Sequence, residues 1–290
     1  MLVTTKYLLD QATKERKAIG AFNVTGLENI IAILQAAEEL NEPVILEFAQ
    51  VHEEENIIPL DIIGPIMIQM AKKANVDVAV HLDHAVNLEI IEKALNLGFT
   101  SVMFDGSALN YDVNISYTKE AVKLAMKFGA TVEAEIGKMA GITLNNEKIT
   151  EDRLIDRSNF TNPIIAKEFV NLTGVDCLAC AFGTVHGEYH KEPNLDFELI
   201  QELNNTIGVP IVMHGGSGLK KSDIKRAIQC GVRKINYYTY MAKAGGKSIQ
   251  DLANMNQTKL FHDYATQATL AMKEDVKTAI QIYSNKEIKK

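Results

Sequence analysis

Residues 77–105 read "DVAVHLDHAVNLEIIEKALNLGFTSVMFD". Two short β-rich runs, "DVAVHLD" (77–83) and "FTSVMFD" (99–105), enclose a segment in which Leu88, Ile91, Leu95 and then Phe99 recur on one helical face. Gly98 stands where a helix hands over to the next strand, a common position for glycine. The stretch is a strand–helix–strand unit. Working outward, the same unit recurs along the chain. Earlier β-rich runs are "AIGAFNV" (18–24) and "PVILEFA" (43–49). Later ones are "TVEAEIG" (131–137), "GVDCLACAF" (174–182), "GVPIVMHG" (208–215) and "GVRKIN" (231–236). Gly129, Gly174 and Gly231 repeat the role of Gly98.

Eight strands, each followed by a helical segment and with no break in composition, predict an α/β protein with a parallel sheet. Eight such units in about 250 residues match a closed (β/α)₈ TIM barrel occupying residues 1–290 as a single domain. An open doubly wound sheet is the competing architecture. It is disfavoured because "NVTGLEN", not a G-x-G-x-x-G turn, follows the first strand. The Lys-rich, periodic tail after residue 258 predicts extra C-terminal helices, closing the structure or contacting a partner subunit.

With 47% apolar and 23% charged residues the composition is that of an ordinary soluble globular protein. No apolar run is long enough to span a membrane. The N-terminal "MLVTTKYLLDQATKERK" reads as an amphipathic helix rather than a signal peptide, so the expected compartment is the cytoplasm. The net charge of −7 and the scattered positions of Arg16, Arg153, Arg157, Arg226 and Arg233 argue against a nucleic-acid or membrane partner. Cys177 and Cys180 form a C-x-x-C on a strand, where residues three apart face opposite sides. They are expected to be buried structural thiols, not a redox or metal pair.

In a barrel of this kind the chemistry sits at the C-terminal ends of the strands. Those ends carry Asn23, Glu47 to Gln50, Asp83 with His84, Asp105, Glu135, His186, His214 and Asn236. Unpaired polar groups are costly to bury, so the near-confinement of polar residues to one rim predicts a site there. His84, His186 and His214, at strand ends three, six and seven, have the composition of a catalytic zinc site with an open fourth position. The ordinary alternative for each alone is a loop histidine held by its neighbours; His190, four residues after His186, is assigned a supporting or surface role. "HGGSG" (214–218), just before the helical "LKKSDIKRAIQ", has the mechanics of a phosphate cradle: unpaired backbone donors and the positive end of a helix. Asn236 and Thr239, after strand eight, join it at a position frequent for phosphate sites in barrels. Asp83, beside a metal ligand, is placed to exchange a proton with a substrate hydroxyl. The residues so far point to enolate chemistry on a sugar phosphate and leave aldol cleavage, isomerisation and metal-assisted hydrolysis open.

"AIGAFNV", "HLDHA", "GFTSVMFDGS", "EAEIG", "GTVHGEYHKEPNLDF", "HGGSGL" and "KIN" follow one another in this order between residues 1 and 284. As a set they resemble the class II, zinc-dependent ketose-bisphosphate aldolases acting on fructose or tagatose 1,6-bisphosphate. The resemblance implies one catalytic Zn²⁺ on His84, His186 and His214, with a monovalent cation as a further cofactor. Glu135 is similar to the carboxylate that can approach the metal. Asp83 is similar to the residue that takes and returns the C4 hydroxyl proton. Gly187, Gly215, Gly216, Ser217 and Thr239 fall where the family holds the dihydroxyacetone phosphate end, and Asn23 and Asn236 where it contacts substrate. His81 is then support inside the barrel. The resemblance also implies a cytoplasmic homodimer or homotetramer whose partner is a small sugar phosphate.

Three departures from the family pattern stand out. Where the mobile loop after strand five has G-G-x-E-D-G, this chain has "MAGITLNNEKITED" (139–152), with Ile142, Thr143 and Leu144 where the acids belong and Glu147 as a candidate substitute from a shifted position. Where N-x-[DN]-T-[DE] follows strand eight, "NYYTY" introduces Tyr238 and Tyr240. No arginine follows Arg233 to receive a second phosphate, and a lysine lacks the bidentate fork. The expected reaction is aldol cleavage of a phosphorylated ketose, not necessarily a bisphosphate, to dihydroxyacetone phosphate and an aldehyde through an enediolate. The alternatives are a metal-dependent epimerase or hydrolase of sugar phosphates, and a non-catalytic sugar-phosphate-binding homologue.

Overall fold

The computed structural model describes residues 1–137, 159–185, 187, 189, 193–255 and 259–285. Eight parallel strands run around a closed barrel in chain order. They are β1 (Ile19–Asn23), β2 (Val44–Ala49), β3 (Val78–Ala85), β4 (Ser101–Phe104), β5 (Thr131–Ile136), β6 (Cys177–Cys180), β7 (Ile211–Met213) and β8 (Val232–Tyr237). β8 pairs back onto β1, with Ala21 opposite Asn236. The fold is the expected TIM barrel, and all eight predicted strands are present, most of them shorter than the apolar runs that mark them.

Local signals set the helix ends. The Asn87 side chain caps the helix Leu88–Asn96 by accepting from the Ile90 amide at 3.0 Å, which satisfies an N–H that has no partner inside the helix. Gly174 closes Pro163–Thr173 with a left-handed φ of 75°, a conformation that glycine adopts without steric penalty. After the helix that follows β8, Thr239–Ala253, one further long helix, Phe261–Tyr283, packs against it and against Leu27–Leu40. The Tyr283 carbonyl accepts from the Ala18 amide at 3.0 Å, tying the end of this helix to the entry of β1. Among the described residues no helix is long and apolar enough to cross a membrane.

Strand alternation sorts side chains into two cores. Outward-facing residues such as Phe22, Leu46, Val80 and Leu82 pack under the helices. Inward-facing Ile19, Ala21, Ile45, Ala79, Met103, Cys177, Ala179 and Val212 meet Leu8, Leu9 and Ala12 of the helix Thr5–Glu15. The amphipathic N-terminal segment is therefore the plug of the barrel floor. Cys177 belongs to the inner core and Cys180 to the outer one, and both are buried free thiols, as alternation demands.

One expectation needs correction. Polar residues are not confined to the rim: Glu47, His81, Ser101, Glu133 and Lys234 are completely buried on inward positions. They form a polar layer beneath the strand ends.

Because the plug is seated in a closed apolar floor, Leu9→Ala leaves a cavity that the barrel cannot collapse to fill. We expect a loss of about 3 kcal/mol in urea unfolding. A loss below about 1 kcal/mol would show that the helix contributes little to the barrel.

Candidate active site

The centre of the site is a break in strand geometry. On a regular strand Asp83 and His84 point to opposite faces. Here the β3–β4 register shifts between Leu82 and Ala85, and His84 has a φ of 49°, in the left-handed region that non-glycine residues seldom occupy. This bulge turns the His84 ring to the same side as Asp83. Its neighbours hold it: the Val86 amide donates to Gln50 Oε1 at 2.9 Å and the Asp105 amide to the Ala85 carbonyl at 2.8 Å.

Two imidazoles then meet edge to face, with ring centroids 4.6 Å apart. His84 Nε2 and His214 Nδ1 lie 2.8 Å from each other. The opposite nitrogen of each ring is engaged by a carboxylate: His84 Nδ1–H donates to Asp105 Oδ2 at 2.8 Å, and His214 Nε2–H donates to Glu133 Oε1 at 2.9 Å. Asp105 is steadied by Ser107, whose amide and hydroxyl both donate to its Oδ1. With the outer nitrogens held by carboxylates, the inner ones face a common point with one proton between them, and a cation that displaces this proton would find the arrangement in which histidines hold a metal ion. The ligand-capable atoms of Asp83, His84 and His214 lie within 4.8 Å of one another, and so do those of His84, Asp105 and Glu135. His186, His190 and Glu147 lie outside the described residues.

The electrostatics point the same way. Burial disfavours a charged His84, yet Asp83, the bond to Asp105, and Glu135 outweigh it and raise its pKa to about 10. A position at which the ionised Asp83 and Asp105 favour positive charge suits a cation. Burial and the neighbouring His84 both push the pKa of His214 down, which keeps its inner nitrogen available as a ligand. Burial and the Asp105 carboxylate hold Glu135 well above the usual range, and its Oε2 lies 3.9 Å from His84 Nδ1.

Asp83 is gripped from both sides. Asn23 Nδ2 donates to its Oδ2 and Asn236 Nδ2 to its Oδ1, each at 3.1 Å. Burial opposes its ionisation, but the His84 and His214 imidazoles and the Lys234 ammonium keep its pKa well below the usual carboxylate range. The two asparagines, expected to contact substrate, thus have an observed role in orienting the carboxylate.

The "HGGSG" turn is as tight as its glycines suggest. Gly215 has a φ of 68°, and a Cβ there would run into the Val185 carbonyl. The Gly216 amide donates to the Asn236 carbonyl at 3.0 Å, so this one donor is not free for a phosphate. Ser217 Oγ accepts from the Tyr238 amide at 3.1 Å. Gly187, φ 92°, belongs to the neighbouring β6 loop, and Thr239 opens the helix Thr239–Ala253.

Beneath this rim is a charged layer that the sequence reading missed. Lys234 Nζ lies 2.6 Å from Glu47 Oε1 and 2.9 Å from Glu133 Oε2. His81, expected as interior support, bonds through Nδ1 to Ser101 Oγ at 2.6 Å. Glu133 had a readable signal: it is two residues from Glu135 on one strand and so shares its face. Lys234 had only the oddity of a lysine within an apolar run. One ammonium faces two carboxylates, and His214 and Lys234 both favour ionised Glu133. Glu47 is the loser: burial pushes its pKa up to about 8 despite Lys234.

The chain is similar to known proteins along almost its whole length. Residues 3–287 match the family model described as "Fructose-bisphosphate aldolase class-II". The chain is 36% identical over 285 residues to a protein of Escherichia coli K12 described as "Uncharacterized protein YdjI", covering 98% of each. It is 36% identical over 286 residues to the fructose-bisphosphate aldolase of Staphylococcus aureus, covering 97% of this chain and 96% of that one. The crystal structure titled as the YdjI aldolase of E. coli K12 superposes with a TM-score of 0.85 at 35% identity, covering 98% of this chain and 97% of that one.

A carboxyl whose folded pKa is raised stabilises the fold fully below its unfolded pKa, and that contribution disappears as pH rises through the folded value. For Glu47 the window runs from about 4.5 to about 8. Unfolding of the metal-free protein across pH 5–9 should show a decline in stability that Glu47→Gln flattens; parallel profiles for the two proteins would refute the assignment.

Proposed function

Because the chain belongs to the class II fructose-bisphosphate aldolase family, we propose that it is a zinc-dependent lyase cleaving a phosphorylated ketose, reversibly, to dihydroxyacetone phosphate and an aldehyde. The observation that carries this reading is the position of Asp83, held by two amide donors beside the facing nitrogens of His84 and His214. His84 and His214, with His186, would hold the zinc ion. When bound, it supplies a Lewis acid that stabilises negative charge developing on the ketose oxygens.

The chain's own residues account for the proton. Asp83 accepts it from the C4 hydroxyl as the C3–C4 bond breaks, and returns it when the bond forms again. Asn23 and Asn236 keep both carboxylate oxygens fixed while that proton moves. Glu135 is a second buried carboxyl beside His84, close enough to approach the metal position. Gly187, Gly215, Gly216, Ser217 and Thr239 surround the turn proposed to receive the C1 phosphate, with Ser217 Oγ fixed by Tyr238.

The far end of the substrate is read without an arginine fork from the β8 side. Arg233 is buried, and its Nη1 donates to the Ile228 and Val232 carbonyls at 2.8 and 2.7 Å. The substrate is therefore proposed as a ketose 1-phosphate whose other end need not be phosphorylated.

Triose phosphate release from a panel of ketose 1-phosphates and 1,6-bisphosphates, with and without a chelator, tests this. We expect chelator-sensitive release that is greatest with a 1-phosphate. No release by zinc-loaded protein, or a product with unchanged carbon count, would overturn the aldolase reading. Asp83→Ala should cut turnover by roughly 10²–10⁴-fold with metal retained, whereas His84→Ala should lose both. Equal metal loss in the two variants would contradict the roles.

A further inference from the structure

A fully buried lysine in an aldolase barrel invites the question of whether it is a nucleophile. The geometry rejects that use for Lys234: its ammonium lies between Glu47 and Glu133, shielded from solvent and below the strand ends. An amine attacks a carbonyl only when it is neutral and exposed to it.

What Lys234 does reach is the far oxygen of the carboxylate that orients His214. Glu133 divides its two oxygens. Oε2 faces Lys234 at 2.9 Å, and Oε1 accepts from His214 Nε2–H at 2.9 Å. The opposite edge of that ring, Nδ1, is the one that faces His84 Nε2 at 2.8 Å. The chain of contacts runs from Lys234 through Glu133 to His214 with no gap, and all three side chains are completely buried. His84 has its own orienting carboxylate, Asp105, which is braced by the nearby Ser107. Glu133 has no such local hydroxyl among the described residues; of the groups at its Oε2, Lys234 Nζ at 2.9 Å is the nearest, with His81 Nε2 at 3.7 Å and the Cys177 thiol, a donor at 3.8 Å, farther off.

We propose that Lys234 is a positioning residue for the metal site: by anchoring Glu133 Oε2 it fixes the tautomer and orientation of His214. The inference rests on the reading that His84 and His214 hold the metal. Glu47, on the other side of the ammonium, completes its surroundings and does not touch His214. In histidine metal sites the carboxylate behind the ligand sets affinity, and its loss typically weakens metal binding 10–100-fold. Here that role extends one residue further, to a cation that neither touches metal nor substrate.

The test separates positioning from bulk stability. Lys234→Met leaves a buried carboxylate uncompensated, so its loss of stability is expected and by itself uninformative. The double variant Lys234→Met/Glu133→Leu removes both charges and should recover urea stability relative to the single variant. Metal affinity is read on the full chain by competing Zn²⁺ against a chromophoric chelator, and ligand geometry by the absorption spectrum of the Co²⁺-loaded protein. We expect Lys234→Met, which keeps Glu133, to bind Zn²⁺ 10–100-fold more weakly than the parent, with an altered Co²⁺ spectrum. The double variant should match that loss despite its restored stability, which shows that the weakening is not a loss of fold. Parent-like affinity and spectrum in folded Lys234→Met, or a loss seen only when Glu133 is also removed, would overturn the proposal. His84→Ala and His214→Ala are carried alongside. If they keep parent-like affinity, the metal reading itself fails; if they lose affinity while Lys234→Met keeps it, only the role of Lys234 fails.

Discussion

Everything at the rim depends on a conflict between covalent regularity and chemistry. Asp83 and His84 are neighbours on a strand, and a strand sends neighbours to opposite faces, yet both side chains are needed on one. The bulge between Leu82 and Ala85 and the left-handed backbone of His84 resolve the conflict. A non-glycine residue in that region carries strain on the order of 1 kcal/mol or more, and it persists only where the surroundings determine it. They do so here: Gln50 receives the amide that follows the bulge, the Ala85 carbonyl receives the Asp105 amide, and the Asp105 side chain receives His84 Nδ1–H. The same aspartate that completes the loop also sets which nitrogen of His84 faces His214.

The barrel interior below this point changes character in three steps. The floor is apolar and sealed by Leu8, Leu9 and Ala12. The middle layer contains charges, with Lys234 balanced by Glu133 and Glu47. The rim is anionic, with the ionised Asp83 and Asp105 favouring positive charge on His84. A buried ion pair is a weak source of stability compared with apolar packing, so the middle layer is poorly explained as glue. It is well explained as the rigid support of a histidine, because the carboxylate with two oxygens can be anchored on one side and accept a proton donor on the other.

The architecture was legible because each βα unit repeats its own local evidence: a β-rich run, a helical stripe, and glycines such as Gly98 and Gly174 that adopt positive φ at the handover. Asp83, His84 and His214 were legible because polar residues ending apolar strands are conspicuous. Other features depend on distant partners and leave no local trace. The bulge at His84 contradicts the alternation from which a strand is read. Lys234 finds its carboxylates on β2 and β5, which are brought to it only by closure of the barrel. Asn23 and Asn236 were read from their strand-end positions as substrate contacts; what no local pattern shows is that the strands carrying them converge on Asp83 and turn their amides toward it.

The β8 loop shows why the cleaving half of such a site and its selecting half are separable. Tyr238 and Tyr240 stand where the family pattern has polar or acidic residues. The Tyr238 amide secures Ser217, its hydroxyl hydrogen-bonds with Thr25, and its ring lies against His52 with centroids 5.5 Å apart. The Tyr240 ring packs on Gly218, where any Cβ would collide with it. Both tyrosines are thereby committed to bracing the glycine turn and the β1 and β2 loops. Arg226 is likewise occupied, its guanidinium 4.2 Å above the Phe197 ring. Side chains engaged in this way hold the proposed phosphate turn against the β8 loop. Under the proposed reaction, other loops at the strand ends are left to read the far end of the substrate, and these can vary without disturbing the bulge, the paired imidazoles or the lysine beneath them.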